Sequence, residues 1–78
     1  MYIMSNFNGQ TFWVRVENDG RAVWTTDYER AEHFWSRDDI ESALDELAAA
    51  VADVANHGAR SILGSLSDNA IVLGEEYD

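Results

Sequence analysis

Residues 37–57, RDDIESALDELAAAVADVANH, constrain the fold more than any other part of the chain. At 100° per residue the aliphatic side chains fall on one stripe: Ile40, Leu44, Leu47, Val51 and Val54. The carboxylates fall on the opposite arc: Asp38, Asp39, Glu41, Asp45, Glu46 and Asp53. The pattern predicts one amphipathic helix with an acidic outer face. Ser36 is the expected N-cap, and Gly58 after His57 the expected stop, so the predicted helix is about 31 Å long.

Turn signals divide the N-terminal part into three predicted strands. Residues 2–5 read as the first strand, and Asn8-Gly9 is a strong hairpin signal. Across residues 11–17 apolar and polar side chains alternate, which places Val14 toward the core and Trp13 on the opposite face. We therefore expect an antiparallel arrangement with one buried face.

The second hairpin has two alternative registers. A three-residue loop at 18–20, with Gly20 at positive φ, pairs Val14 with Trp24 and keeps the apolar residues on one face. A two-residue turn would instead bring Arg15 opposite Trp24, so the longer loop is favoured. Beyond the hairpin, Thr26 and Glu29 have the spacing of a capping box, which predicts a short helix or turn.

The C-terminal part is expected to add strands to this sheet. Residues 61–66 and 70–73 are short apolar runs separated by a turn signal at 67–69, and residues 75–78 form an acidic end. The run at 70–74 predicts one strand, and a second hairpin is the alternative. The expected fold of residues 1–78 is a single α+β domain. It is an antiparallel β-sheet of three N-terminal strands plus one or two C-terminal strands, packed on one long amphipathic α-helix with a short helix or turn before it.

The charge balance restricts the class of partner. Fifteen acidic residues stand against five arginines and no lysine, a net charge of −10. Residues 27–57 alone hold nine acidic residues and two arginines, a net charge of −7. Because binding to phosphates needs clustered basic side chains, nucleic acid is not the expected direct partner, and a basic protein surface is.

The chain offers little for catalysis or metal binding. It has no cysteine, which excludes disulfides and thiolate zinc sites and suits a reducing compartment. His33 and His57 stand in no spacing typical of metal or nucleophile chemistry. We expect no enzyme activity, no cofactor and no metal. The sequence shows no membrane-spanning run and no signal peptide, so a cytoplasmic location and no membrane partner are expected.

The acidic face and the aromatic residues each allow two interpretations. Acidic helices often serve only solubility. However, the carboxylates from Asp38 to Asp53 are spaced about 4 Å apart along the predicted helix, close to the ~3.4 Å charge spacing of a nucleic-acid strand. Trp13, on the outer face of its strand, is either covered by the tail or available as a binding anchor, and Tyr28 is a second candidate anchor.

One stretch resembles a pattern of small phage-encoded proteins. Residues 23–27, VWTTD, followed by Ala31, Phe34 and the capped start at 36–39, match a hairpin that ends in W-T-x-D before an alanine, a phenylalanine and a helix. The match covers about residues 1–50. Together with its size, charge and lack of lysine, the chain resembles the phage and prophage anti-CRISPR proteins, in particular small acidic inhibitors of type I effector complexes.

That resemblance implies a non-enzymatic viral protein that binds the type I (Cascade) complex and blocks target DNA. Such inhibitors often act as DNA mimics on the basic surface that reads the protospacer-adjacent motif. These families share no catalytic motif, so the resemblance identifies no functional residue in this chain. The implied protein acts in the cytoplasm of a bacterial host, as a monomer or weak dimer. Two alternatives are an antirestriction-type or regulatory DNA mimic that acts on a different basic enzyme, and a phage structural or assembly protein that oligomerises through its sheet edge or an apolar surface.

Physical reasoning from the residues supplies the expected partner-binding set. It combines the acids of the helix, the acids just before it and one exposed aromatic. The members are Asp38, Glu41, Asp45, Glu46, Asp53, Asp27, Glu29, Glu32 and Trp13. We expect complementary charge to speed association and the aromatic to slow release.

Overall fold

The fold is an antiparallel four-stranded sheet with two α-helices, seen in a computed structural model that describes residues 1–74. The acidic end at 75–78 lies outside the described residues. The elements are β1 (Tyr2–Phe7), β2 (Gln10–Val16), β3 (Ala22–Thr25), a 3₁₀ turn (Tyr28–Arg30), α1 (Arg37–Val51), α2 (His57–Asp68) and β4 (Ile71–Leu73). The strand order is β3-β2-β1-β4. The predicted α+β class, with three N-terminal strands and one C-terminal strand, is confirmed.

Both N-terminal hairpins form where their turn residues predicted. Asn8 and Gly9 have φ values of 52° and 78°, as a two-residue type I′ turn requires, and Phe7 pairs with Gln10 across it. In the second hairpin Gly20 has φ 90°, and Val14 lies opposite Trp24. The three-residue loop is therefore confirmed.

The segment after the 3₁₀ turn inserts between β1 and β2. Their pairing stops at Met4 and Trp13, and beyond that point the chain at 32–34 takes over the hydrogen bonds. The Glu32 N–H donates to the Val14 carbonyl oxygen at 2.8 Å, and the Phe34 N–H donates to the Met1 carbonyl oxygen at 2.7 Å. This insertion buries Phe34 and carries the next residue to the surface.

The core lies between the two helices and one face of the sheet. The helices contact each other, while α1 also contacts β3 and α2 contacts β1, so both cover the same face. Ile3 and Val14 of the sheet are fully buried against Ile40 and Leu47 of α1, and Leu66 is the buried residue of α2. Neither helix covers the opposite face of the sheet.

The predicted single helix over 37–57 is wrong in its second half. Ser36 does cap α1, with its Oγ accepting the Asp39 N–H at 3.2 Å, but α1 ends at Val51 and is about 22 Å long. His57 begins α2, which Asn56 caps by accepting the Ala59 N–H at 3.0 Å. The break is held from outside the segment, because the Arg60 guanidinium donates to the Val54 carbonyl oxygen at 2.6 and 2.9 Å.

Two smaller expectations also change. Asp27, not Thr26, caps the 3₁₀ turn, with its carboxylate accepting the Glu29 N–H at 3.0 Å. The apolar run at 61–66 is part of α2 rather than a strand, since its Leu66 packs into the core. Among the described residues the C-terminal part therefore adds one strand, β4, and no second hairpin.

Candidate protein-binding surface

Three predicted binding residues form a continuous stripe on the outside of α1. Asp38, Glu41 and Asp45 are all exposed, and their i, i+3 and i+7 spacing puts them on one side of the helix. We call these three residues the outer row. It extends over about 10 Å of a helix that is fixed at its start by a cap and on its inner side by the core.

Glu46, a fourth predicted residue, has a structural bond. Its Oε2 accepts the backbone N–H of Ala22 at 2.7 Å, which ties α1 to the edge strand β3. Ala22 itself is buried, so this carboxylate satisfies a donor that would otherwise lack a partner. Glu46 thus contributes charge to the surface but is held toward the sheet.

Asp53 does not belong to the same row. It follows α1 in the turn, where its N–H donates to the Ala50 carbonyl oxygen at 3.1 Å. The acids that α1 does carry, from Asp38 to Glu46, extend over about 12 Å of helix. A single helix from Asp38 to Asp53 would have extended the row over about 22 Å. The comparison with the charge spacing of a nucleic-acid strand therefore fails as an argument for a long straight row.

The three acids before α1 have different surroundings. Asp27 caps the 3₁₀ turn and lies 3.3 Å from the Arg30 guanidinium, which balances its charge locally. Glu29 is exposed within that turn, and Glu32 is half-buried at the insertion between the strands. Asp27 is therefore balanced locally, Glu29 adds exposed charge on the 3₁₀ turn, and Glu32 lies near Asp39 and Glu46 of α1.

Four of the five arginines are engaged away from the outer row. Arg15 lies 3.3 Å from Glu17, Arg21 lies 2.9 Å from Asp19, Arg30 pairs with Asp27, and Arg60 bonds the turn after α1. These four arginines therefore do not offset the charge of the outer row, whose carboxylates lie on α1 together with Arg37, the one basic residue of that helix.

The pKa of Asp19 is lowered in this arrangement. The main cause is the backbone N–H of Arg21, which donates to Asp19 Oδ1 at 3.1 Å, and the Arg21 guanidinium adds to it. Both donors stabilise the ionised carboxylate. This loop carboxylate is therefore committed to its own hairpin.

Trp13 lies on the face of the sheet that the helices leave open, as predicted. It stands across from Met4 and Thr25, and its ring makes an edge contact with Tyr28 at 5.0 Å between centroids. Trp13 is half-buried, and Tyr28 is 64% exposed. Tyr28 thus covers part of Trp13 and is the more accessible of the two rings.

Trp35 is the most exposed large apolar side chain of the described residues, at 84%, and sequence reasoning missed it. Its ring lies 4.1 Å from that of His33, which in turn makes an edge contact with Tyr2 at 5.1 Å. His33 is further held by Nε2, 3.2 Å from the N-terminal nitrogen. A tryptophan directly before a helix cap was the available signal.

Trp35 borders a groove of about 460 Å³ between α1 and the ends of β2 and β3. The buried side chains of Phe34 and Ala43 make its floor apolar, and Val16, 36% exposed, also lines it. The rim carries three carboxylates, those of Glu32, Asp39 and Glu46. We call this feature the Trp35 groove. It brings two predicted acids, Glu32 and Glu46, together with Asp39 and an exposed aromatic side chain, a proximity that the sequence does not reveal.

Comparisons with protein-family models, with curated proteins and with solved structures find no match. The resemblance to anti-CRISPR proteins therefore stays a prediction. No helix within residues 1–74 is long and apolar enough to cross a membrane. Among the same residues, no group of three or more His, Asp or Glu side chains could hold a metal ion.

Proposed function

We propose that this chain is a non-enzymatic inhibitor that binds a basic, nucleic-acid-binding protein through the outer row of α1. The observation that carries the proposal is the exposed stripe Asp38, Glu41 and Asp45 on a rigid helix, in a chain of net charge −10. Proteins that bind nucleic acid present clustered Arg and Lys to the phosphates, and such a patch is the natural complement of this stripe.

Within that class we propose a type I CRISPR effector complex as the partner. The sequence resemblance favours it, and its surface for reading the protospacer-adjacent motif has to be basic in order to bind duplex DNA. Occupation of that surface would exclude target DNA by competition. The site of action is then the cytoplasm of a bacterial host. An antirestriction-type mimic would use the same stripe against a different basic enzyme.

The experiment is competition between this protein and target DNA for a purified type I effector. The test variant is Glu41→Gln with Asp45→Lys, and the control is Ser61→Lys with Asp68→Lys, which changes the net charge equally at exposed positions of α2. We expect the test variant to inhibit at least about tenfold less well, or about 1.4 kcal/mol, and the control to act nearly as the natural chain does.

Salt provides the second readout. Because exposed charges are screened over about 10 Å at 0.1 M salt and about 3 Å at 1 M, the complex should weaken steadily as salt rises. If both double variants inhibit as well as the natural chain, the outer row is not the interface. If no basic nucleic-acid-binding protein is bound at any salt concentration, the proposed function is wrong.

The open face of the sheet favours one other function, assembly of copies of a phage structural protein. Ile71, 52% exposed, pairs across the sheet with Met4, Met4 pairs with Trp13, and the ring of Trp13 contacts Tyr28, 64% exposed. Apolar side chains therefore run across this face as one patch. An assembly protein would elute from gel filtration well above 8.8 kDa even in high salt, since apolar contacts are not screened. A mass that stays at 8.8 kDa would leave the inhibitor as the better proposal.

A further inference from the structure

We propose that the Trp35 groove receives an arginine side chain of the partner protein, an inference that rests on the proposed function and names the contact that anchors it. The groove combines an apolar floor, an acidic rim and an exposed indole in one concave site of about 460 Å³. An arginine has the matching parts, because an apolar stem carries a planar cation.

The charge of the groove selects a cation. Three of its lining residues are carboxylates, Glu32, Asp39 and Glu46, and the described lining residues include no arginine. Glu46 already accepts the Ala22 N–H through Oε2. Glu32, from the inserted segment, and Asp39, from α1, therefore approach an occupant from two different elements. An anionic or purely apolar occupant would meet this rim unfavourably.

The indole favours arginine over lysine. Trp35 is 84% exposed, and its contact with the His33 ring at 4.1 Å holds it beside the groove rather than over the core. A guanidinium stacks on such a ring and is more weakly hydrated than an ammonium, so less hydration free energy is lost when it enters the groove. Its fork can also donate to a carboxylate with two N–H groups at once.

The groove is continuous with the outer row. Asp39 lies only 100° around α1 from Asp38, so one basic patch can contact the outer row and send a side chain into the groove. Exposed charge pairs of the outer row each contribute little on their own. A tryptophan beside a concave acidic site has the composition of a binding hot spot, and we therefore expect the groove to dominate the dissociation rate.

The direct test uses N-acetyl-arginine amide as the probe and the isotope-labelled full chain. Titration is followed by the indole N–H signals of Trp13, Trp24 and Trp35, assigned by single Trp→Phe variants, and by the backbone amides. We expect saturable shifts at Trp35 and at the groove residues His33 and Asp39, with Trp13 unchanged. N-acetyl-lysine amide should bind more weakly, and Asp39→Asn should weaken arginine binding by about tenfold.

Asn at position 39 keeps the fold, because the capping bond of Ser36 uses the Asp39 backbone N–H. Shifts confined to the outer row, equal shifts with the lysine probe, or a linear response without saturation would each overturn the proposal. None of these results would decide the proposed function, because the charge-changing variants of the outer row test it separately.

The second arm places the groove in the complex. In the competition assay with the effector, Trp35→Ala should raise the dissociation rate by about tenfold or more and leave the salt dependence unchanged. Ile62→Ala, which truncates an exposed apolar side chain of α2 outside the Trp35 groove, is the control and should have little effect. If Trp35→Ala dissociates at the same rate as the natural chain, the groove is not part of the interface. If the natural chain binds no effector while the arginine probe still fills the groove, only the proposed function fails.

Discussion

The two helices of this protein reach the same conformation by different routes. In α1 the buried residues Ile40, Ala43 and Leu47 recur at helical spacing, and the outer side is charged. In contrast, α2 buries one residue, Leu66, and its sequence HGARSILGSLSD holds two glycines and three serines. Such residues are poor helix formers. The comparison indicates that α2, with its lower helix propensity, depends more than α1 on burial against neighbouring elements.

The two helices also differ in their charge. All five carboxylates of α1 lie on its exposed positions, while α2 has one Asp and one Arg. The nearly neutral α2 packs against β1 and α1. Of the two helices, α1 thus carries most of the charge.

The largest expected effect tests the dependence of α2 on tertiary burial. Leu66→Ala removes its buried side chain, 1% exposed, and should lower the free energy of unfolding by about 2–5 kcal/mol. Urea denaturation followed by far-UV circular dichroism measures it. Ile62→Ala, at a position 38% exposed on the same helix, should cost less than about 1 kcal/mol. Equal losses would mean that α2 has no single anchor.

A second pair separates the structural acid of α1 from its outer row. Glu46→Ala leaves the Ala22 N–H without its acceptor, which should lower the free energy of unfolding by about 1–2 kcal/mol. Glu41→Ala removes an exposed carboxylate and should change it by less than about 0.5 kcal/mol. Thermal melts of both variants, with Glu46→Gln to restore an acceptor oxygen, give the comparison. An unchanged melting temperature for Glu46→Ala would show that this bond does not stabilise the fold.

A third comparison uses the N-caps, because the same kind of capping hydrogen bond can be removed from each helix. Ser36→Ala in α1 and Asn56→Ala in α2 each remove one side-chain acceptor and should cost about 1 kcal/mol. The loss of stability should spread further along α2 than along α1, because α2 has less helix propensity of its own. Amide hydrogen exchange should accelerate along α2 in Asn56→Ala more than along α1 in Ser36→Ala. The reverse order would contradict the ranking of the two helices.

The smallest effect is a gain of stability in α2. At Gly64 an added Cβ would lie 3.8 Å from Val51 Cγ1, an ordinary contact, so Gly64→Ala should stabilise the protein by about 0.5–1 kcal/mol. At Gly58 the Cβ would lie 3.2 Å from Asn56 Oδ1 and crowd the cap, so Gly58→Ala should give a smaller gain or none. Melting temperatures of the two variants test this difference. Destabilisation by Gly64→Ala would show that α1 and α2 pack more tightly there than the distance indicates.

Local signals predicted the parts of the fold that local chemistry decides. The loop glycines Gly9 and Gly20 adopt the positive φ that their turns need, and the alternation around Val14 sets the buried face of β2. Ser36 begins α1 because its hydroxyl meets a backbone N–H three residues away. These interactions join residues close in the chain, which is why single-sequence reasoning finds them.

The break between the helices could not be predicted in this way. The apolar period continues from Leu47 to Val54, and alanines tolerate either helix or turn. What ends α1 in practice includes the bond from Arg60 to the Val54 carbonyl oxygen and the burial of Leu66 under the sheet. Neither contact has a signature in the segment that it terminates.

The sequence alone therefore determined the α+β class, both N-terminal hairpins, the start and buried stripe of α1, and a strongly acidic surface centred on that helix. Only the tertiary structure decided where α1 ends, that Glu46 is bonded to β3, and that Trp35 borders an acidic groove with Glu32 and Asp39. The physical reason is the separation along the chain between the residues that interact. Turns, caps and periodicity act over a few residues, whereas the groove is assembled by an insertion between β1 and β2 that brings distant residues together.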